Sequence, residues 1–196
     1  MKKTVKSMLF VGCAVVMFPM VFMFHLFGLV LDKNQLVAGF SQLLSLLPGK
    51  LGSYLRAGFY RFVLNACAPN VLVGFGTLLS HTDTDLGKGA YIGPQCNLGM
   101  CSIGKNTLLG SGVHVLSGKE QHNFSDIDKP IKAQGGTFTK IAIGDNCWIG
   151  NTAVVMANIG NGSVVAAGAV VVDDIPANAI AVGNPAKVVR YRGAQQ

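Results

Sequence analysis

The sequence predicts an all-β solenoid built from a six-residue repeat and preceded by an apolar helical segment. Three observations carry this prediction. An aliphatic residue followed by glycine recurs about every six residues after position 71. The 196 residues include 25 glycines, and only 13% of them are charged. Residues 8–31 contain no Asp, Glu, Lys or Arg. A chain of this length fits one domain with an appendage.

The repeat forms two blocks whose members share an aliphatic residue at about every sixth position. The aliphatic residue fills a narrow interior, and glycine accepts the backbone angles of a tight corner. We therefore expect residues 71–192 to form stacked coils with the repeating aliphatic residues inside. These are Leu86, Ile92, Leu98, Ile103, Leu109 and Val115 in the first block, and Ile143, Ile149, Ile159, Val165 and Val171 in the second.

The N-terminal part is predicted to contact a membrane. Residues 1–34 are expected to be a membrane anchor or re-entrant helix, because the run 8–31 could cross about 30 Å of hydrocarbon. The run exceeds the apolar core of a cleaved signal peptide, which is the alternative, and Pro19 near its middle can break a helix. Residues 35–70 are expected to be an amphipathic interfacial helical segment. Its basic residues available to lipid headgroups are Lys50, Arg56 and Arg61.

Composition argues against several other classes of protein. The net charge is +7, but the sixteen basic residues are spread along the chain and form no long run, so we expect no nucleic-acid partner. The five cysteines include no CxxC pair, which argues against a disulfide framework or a zinc site. Reduced and mostly buried thiols are expected instead.

Two segments resemble signatures of the hexapeptide-repeat acyltransferases. They are Ile143-Gly-Asp-Asn-Cys-Trp-Ile-Gly150 and Val182-Gly-Asn-Pro-Ala-Lys-Val-Val-Arg190. The resemblance implies a left-handed parallel β-helix with triangular coils, assembled as a homotrimer with active sites between subunits. Its left-handed sense rests on the resemblance alone, because parallel crossovers are otherwise nearly always right-handed.

The resemblance also implies an acetyl-CoA-dependent O-acetyltransferase acting on a saccharide hydroxyl. Residues 46–60 are similar to the leader of polysaccharide-modifying members, so the acceptor is expected in surface polysaccharide or lipid-linked glycan biosynthesis. Acetyl-CoA is cytosolic, so the catalytic body is expected on the cytosolic side of the inner or plasma membrane. The alternatives are N-acetylation of an amino-sugar, and a non-catalytic or metal-binding β-helix trimer using His81, His114 and His122. We expect no metal.

The catalytic candidates lie in a polar loop, 119–140, that interrupts the repeats. Acyl transfer to a hydroxyl needs a base, and histidine titrates near the working pH. His122 is the expected base, since in related sugar acetyltransferases the catalytic histidine follows a turn similar to Val113-His-Val-Leu-Ser-Gly118. His114 is a further candidate for base or acceptor contact, whereas His81 and His25 are expected to be structural. The carboxylates that could orient the His122 ring are Glu120, Asp126 and Asp128.

The donor site is placed by the resemblance along the second block. Trp148 is expected either to wall the pantetheine or to pack between subunits. Where many members of the family that the chain resembles have Thr-Lys, this chain has Val172-Asp173, so the resemblance does not carry one phosphate contact over to this sequence. The residues that the resemblance implies for acetyl-CoA are Trp148, Asn151, Ala167 and Gly168, together with Lys187 and Arg190 for the phosphates.

Overall fold

The computed structural model describes residues 2–193, with side chains from Met8 onward. In this range four helices precede the strands: α1 (Lys2–Val16), α2 (Phe18–Phe27), α3 (Lys33–Ser45) and α4 (Gly49–Val63). Asp32 caps α3, because its carboxylate accepts hydrogen bonds from the backbone N–H groups of Asn34 and Gln35 at 3.0 and 2.9 Å. The side chains of Lys2, Lys3 and Lys6 lie outside the described part.

The apolar N-terminal run forms a bent pair of helices. The axes of α1 and α2 differ by 46°, and Pro19 lies in the first turn of α2, where a missing N–H costs no helical hydrogen bond. Within residues 2–193, no single helix has the length and apolar character needed to cross a membrane. Met8–Val16 and Phe18–Phe27 meet that requirement only when taken together. The expected N-terminal membrane helix is therefore not confirmed.

The strands stack into three parallel sheets that form the sides of a solenoid. One sheet has the order β1-β4-β7-β10, a second β16-β15-β13-β11-β8-β5-β2, and a third β14-β12-β9-β6-β3; we call them the first, second and third faces. The final strand, β16, pairs antiparallel with β15. In chain order the strands are β1 (Ala66–Cys67), β2 (Leu72–Val73), β3 (Leu78–Leu79), β4 (Asp85–Leu86), β5 (Tyr91–Ile92), β6 (Asn97–Leu98), β7 (Cys101–Ile103), β8 (Leu108–Leu109), β9 (His114–Val115), β10 (Ile141–Ile143), β11 (Trp148–Ile149), β12 (Val154–Val155), β13 (Val164–Val165), β14 (Val170–Val171), β15 (Ala179–Val182) and β16 (Lys187–Tyr191).

The interior of the solenoid is filled by the aliphatic residues that the repeat predicts. All eleven are between 0% and 2% exposed, from Leu86 at 2% to Val171 at 0%. Ile159 and Ile175 continue the first face beyond β10 as isolated parallel bridges. The predicted parallel β-solenoid is therefore confirmed, with about six turns.

Neighbouring coils approach so closely that some positions admit only glycine. A Cβ atom on Gly104 would overlap the carbonyl group of Gly144 in the next coil and lie 2.5 Å from the nitrogen of Asp145. Asparagine serves at other corners, since Asn106 and Asn146 both adopt a φ of 55°. The corner sequence thus fixes the vertical spacing of the coils.

Arg56 of α4 joins the helices to the first coil. Its side chain is 0% exposed, and its Nε donates a hydrogen bond to the Val73 carbonyl oxygen at 3.0 Å. Its Nη1 donates to the carbonyl oxygens of Leu44 and Leu47 at 3.0 and 2.7 Å. The expectation that Arg56 contacts lipid headgroups is therefore wrong. The solenoid also begins at Ala66, before position 71.

Candidate active site

The loop 119–140 leaves the third face after β9 and returns to the first face at β10. Its two limbs are joined by backbone hydrogen bonds, from Thr137 N to Glu120 O at 2.7 Å and from Asn123 N to Gly135 O at 2.9 Å. The Gln134 amide closes the tip by donating to the carbonyl oxygens of Asp126 and Lys129 at 2.7 and 2.9 Å. These bonds give the polar insertion a defined shape.

His122 lies on the exposed outer limb of this loop. Across residues 8–193, no hydrogen bond or ion pair engages the His122 ring. The backbone of Gly136 lies close to the peptide bond between Gln121 and His122. A Cβ atom added at residue 136 would overlap the Gln121 carbonyl group and lie 2.8 Å from the His122 nitrogen. The opposite limb therefore positions His122 through a close backbone contact.

None of the three carboxylates proposed to orient His122 is bonded to its ring within residues 8–193. Asp126 pairs with Lys129 at 3.2 Å and accepts a hydrogen bond from Asp128 N at 3.1 Å, which stabilises the loop tip. Glu120 lines a cavity beside the loop.

A cavity of about 300 Å³ lies beside the base of the loop, and we call it the histidine cavity. His114 projects outward from β9, paired in register with Asn97 of β6. The His81 Nδ1 is 2.9 Å from the Ser80 hydroxyl, and its ring lies 5.8 Å from the ring of Phe138 in the loop. The residues that line this cavity are Ser80, His81, Asn97, Gly99, His114, Val115, Leu116, Ser117 and Gln121.

The histidine cavity includes a residue that was expected to be structural. His81 belongs to the turn after β3, whereas His114 comes two coils later, so the cavity forms only when the coils stack. The sequence offered one signal: His81 comes two residues after β3, a third-face strand, as Ser117 comes two residues after β9 just before the loop. His25, by contrast, lies on α2 against Phe24.

A second cavity, of about 360 Å³, lies on the other side of the loop base, and we call it the loop cavity. Asp173 lies at its rim, with carboxylate oxygens 3.9 Å from both the Lys119 and Lys187 ammonium groups. The residues that line it are Gly118, Lys119, Glu120, Thr139, Ile141, Met156, Ala157, Asn158, Val172, Asp173 and Asp174.

Four of the residues proposed for the donor lie on the second face or its corner with the third. Trp148 points outward from β11 and is 57% exposed. Asn151 Oδ1 accepts a hydrogen bond from Ser111 N at 3.1 Å, and Asn151 O accepts one from Gly168 N at 2.9 Å. Ala167 lies beside Gly168 on this exposed corner.

The two proposed phosphate contacts, Lys187 and Arg190, are exposed on β16. Lys187 Nζ approaches the loop cavity through Asp173, whereas Arg190 pairs in register with Ile180. The structure therefore brings one of the two cations to the rim of the loop cavity.

The thiols near the coils are unsuited to nucleophilic attack. Cys96, Cys101 and Cys147 are buried, and burial raises the pKa of each thiol. For Cys101 burial raises the pKa to about 12. Since the thiolate is the reactive form, these side chains are packing residues.

Over the described residues, no group of three or more His, Cys, Asp or Glu side chains is arranged to hold a metal ion.

Comparison with known proteins relates the chain to acetyltransferases. No protein-family model matches the chain. A Schizosaccharomyces pombe protein provisionally named an acetyltransferase is 36% identical over 115 residues, which cover 53% of this chain and 51% of that protein. An Escherichia coli protein provisionally named a colanic acid biosynthesis acetyltransferase is 33% identical over 112 residues, covering 55% and 58%. The chain spans about half the length of such relatives.

Solved structures share the fold over more of the chain. A maltose O-acetyltransferase from Clostridium difficile has a TM-score of 0.68 at 22% identity, covering 82% of this chain and 88% of its own. A galactoside acetyltransferase in complex with coenzyme A has a TM-score of 0.58 at 20% identity, covering 83% and 84%. The resemblance stated from the repeats is therefore confirmed: the chain is similar in sequence to proteins named as acetyltransferases and in fold to sugar acetyltransferases.

Proposed function

We propose that this protein is an O-acetyltransferase that moves an acetyl group from acetyl-CoA to a hydroxyl of a saccharide. The observation that carries the proposal is the histidine cavity, where two imidazoles meet amide and hydroxyl groups beside an ordered loop on an acetyltransferase-like solenoid. Polar groups on rigid strands suit a saccharide, whose hydroxyls need hydrogen-bond partners. Acetyltransferase and sugar acetyltransferase relatives support the reaction class.

In the proposed reaction the acceptor hydroxyl oxygen attacks the thioester carbonyl carbon within a ternary complex. His122 takes the hydroxyl proton as the carbon–oxygen bond forms. Backbone N–H groups stabilise the oxyanion, and the carbon–sulfur bond then breaks as the sulfur takes the proton from the histidinium. His122 follows Gln121, which lines the histidine cavity, so an acceptor seated there lies near the loop limb that carries the base.

His114 is the second candidate for the base, because its ring lines the cavity whereas that of His122 does not. A cysteine nucleophile is disfavoured by the buried thiols described above. Direct transfer without an acetyl-enzyme follows from that burial.

We propose that acetyl-CoA runs along the corner of Asn151, Ala167 and Gly168 toward Lys187 and Arg190. The Asn151 carbonyl and Oδ1 groups already bond within the coils. Its Nδ2 and the exposed backbone of this corner remain to face a pantetheine chain. Trp148 lies on β11, the second-face strand that precedes Asn151 in the chain.

A homotrimer of left-handed solenoids is proposed as the assembly. Outward side chains of successive second-face strands form an apolar column of Tyr91, Leu108 and Trp148, which are 40%, 47% and 57% exposed. A flat apolar column of this kind suits packing against a second copy. Light scattering in detergent that finds an active monomer would contradict it.

Membrane association with a cytosolic catalytic body is proposed from the bent helices. The exposed large apolar residues of α1 and α2 include Val15, Phe18 and Phe22 at 68%, 61% and 59%. An interfacial or re-entrant arrangement of the N-terminal helices keeps the coils on the side that holds acetyl-CoA. Cysteine labelling that places the Lys140 position outside the cell would reject this topology.

The reaction is tested with the full chain in detergent, acetyl-CoA, and two acceptor sets: hydroxyl-only hexoses and amino-hexoses. We expect CoA thiol release and an alkali-labile acetyl ester with the hydroxyl-only set. An alkali-stable amide formed only on amino-hexoses would establish N-acetylation instead. Absence of transfer to either set would reject the proposal.

A further inference from the structure

The turn between α2 and α3 carries an apolar tip that stays exposed among residues 8–193, whose side chains the structure describes. Leu29, Val30 and Leu31 are 81%, 88% and 52% exposed, and they are consecutive. We call these three residues the aliphatic tip. Single exposed aliphatics are ordinary, but a convex run of three at a turn marks a surface that contacts another apolar phase.

The aliphatic tip is fastened to the wall of the histidine cavity. Asn34, in the first turn of α3, accepts hydrogen bonds at Oδ1 from the Thr82 backbone nitrogen at 2.9 Å and from the Thr82 hydroxyl at 3.0 Å. Thr82 directly follows His81, which lines the cavity. Leu31 and Asn34 are three residues apart, so the Cα atoms lie within about 11 Å of each other.

The surroundings of the tip suit a lipid bilayer. The tip continues the exposed apolar surface of α2, where Leu26 and Phe27 are 49% and 41% exposed. Asp32 is the nearest carboxylate in sequence, and it is engaged by the N–H groups that start α3. Lys33 then places an exposed cation where anionic headgroups would lie.

We propose that the aliphatic tip enters the bilayer and that the histidine cavity takes its saccharide from a lipid-linked acceptor whose hydrocarbon chain stays in the membrane. This deepens the function proposed above and rests on it. The two hydrogen bonds that Thr82 donates to Asn34 hold the rim of the histidine cavity close to the segment that enters the membrane. A sugar linked to an embedded lipid reaches His81 and His114 without leaving that surface.

Tip insertion is tested by fluorescence, because Trp148 is the one tryptophan in the chain. In a Trp148→Phe background, Val30→Trp is compared with Ile127→Trp, since the two positions are 88% and 94% exposed. Vesicles of phosphatidylglycerol and phosphatidylcholine carry brominated chains. We expect about twofold quenching for the Val30→Trp protein and little for the Ile127→Trp control.

Two outcomes of this measurement would overturn the insertion. One is equal emission from both proteins with and without brominated vesicles. The other is Val30→Trp emission that is already shifted to short wavelength without vesicles and is not quenched by them, which would indicate that a second copy covers the tip.

The lipid-linked acceptor is tested by activity, with a polyprenyl-phosphate-linked hexose in vesicles and the free hexose as probes. Leu29→Gln with Val30→Gln should raise KM for the linked hexose about tenfold and leave KM for free hexose unchanged. Val189→Gln, an apolar-to-polar change at a 58% exposed position on β16, should alter neither. Equal effects on both acceptors would overturn the lipid-linked assignment. Lack of transfer to either acceptor, with the tip still quenched, would reject the proposed reaction and not the insertion.

Discussion

The coils and the loop 119–140 place their apolar side chains in opposite environments. Aliphatic residues in the coils, such as Leu109 and Ile149, are 0% exposed, whereas Phe124 and Ile127 in the loop are 75% and 94% exposed. The coils hydrogen-bond to neighbouring coils, as Leu108 N does to Cys147 O at 2.9 Å. The loop bonds mainly across its own limbs. Stability is therefore expected to reside in the coils, and chemistry in the loop.

The largest expected effect separates the two regions through His122. His122→Ala should lower turnover by about two to four orders of magnitude, the scale of general-base catalysis. The KM for acetyl-CoA and the free energy of unfolding should hardly change, because the side chain is exposed and its ring has no partner across residues 8–193. Steady-state kinetics and urea denaturation measure these quantities.

His114→Ala is the matched variant for that experiment. If the His114 ring only lines the histidine cavity, its loss should raise the acceptor KM and lower turnover less than His122→Ala does. Near-normal turnover in His122→Ala together with an inactive His114→Ala would assign the base to the third face and leave the loop an acceptor role.

The second effect tests whether the coils carry the stability. Ile149→Ala should reduce the free energy of unfolding by about 2–5 kcal/mol, because a fully buried aliphatic side chain leaves a cavity. Ile127→Ala in the loop should change it by less than about 0.5 kcal/mol. Comparable losses at both positions, measured by denaturant titration in detergent, would mean that the loop is a structural element.

The sequence predicted the coils well because one short-range rule governs them. The six-residue period identifies Ile92 or Val165 as interior without knowledge of any distant contact. The period also explains why most corners could be placed, since glycine or asparagine stands at them, whereas Gln95 and Thr152 take the same left-handed backbone conformation at two others.

The remaining parts depend on contacts that no local pattern encodes. His81 joins His114 only through the stacking of coils, and Gln134 shapes the loop through bonds to Asp126 and Lys129. Arg56 was expected at a lipid surface on the basis of its charge. In the structure its guanidinium group is buried and donates hydrogen bonds to backbone carbonyl oxygens of two elements. A basic residue among aromatic residues in the sequence is compatible with both a lipid surface and the protein interior. Only its hydrogen-bond partners distinguish the two.

A third prediction uses the same substitution in the two regions. Gly136→Ala would press a methyl group against the peptide between Gln121 and His122, so turnover should fall by about ten- to a hundredfold through misplacement of the base. Gly104→Ala would press against the backbone of the next coil and should instead lower stability. Turnover and unfolding midpoints of both proteins check the pair. Unchanged turnover in Gly136→Ala would disconnect the loop contact from His122.

The smallest effect concerns the place where the loop base and the last coils meet. Asp173 stands 3.9 Å from both Lys119 and Lys187, and exposed pairs of this kind contribute about 0–1 kcal/mol. Stability should therefore be insensitive to changes here. Lys187→Ala should raise the KM for acetyl-CoA several-fold with little change in turnover, because a phosphate contact acts equally in the ground and transition states.

Asp173→Asn gives the opposite test at the same position. Removing the carboxylate frees Lys119 and Lys187 to face an anionic donor, so the KM for acetyl-CoA should fall, and the fall should shrink at high salt because screening weakens exposed charges. If Lys187→Ala lowers turnover without altering this KM, the cation belongs to the acceptor side of the loop, and the donor must approach the coils from another face.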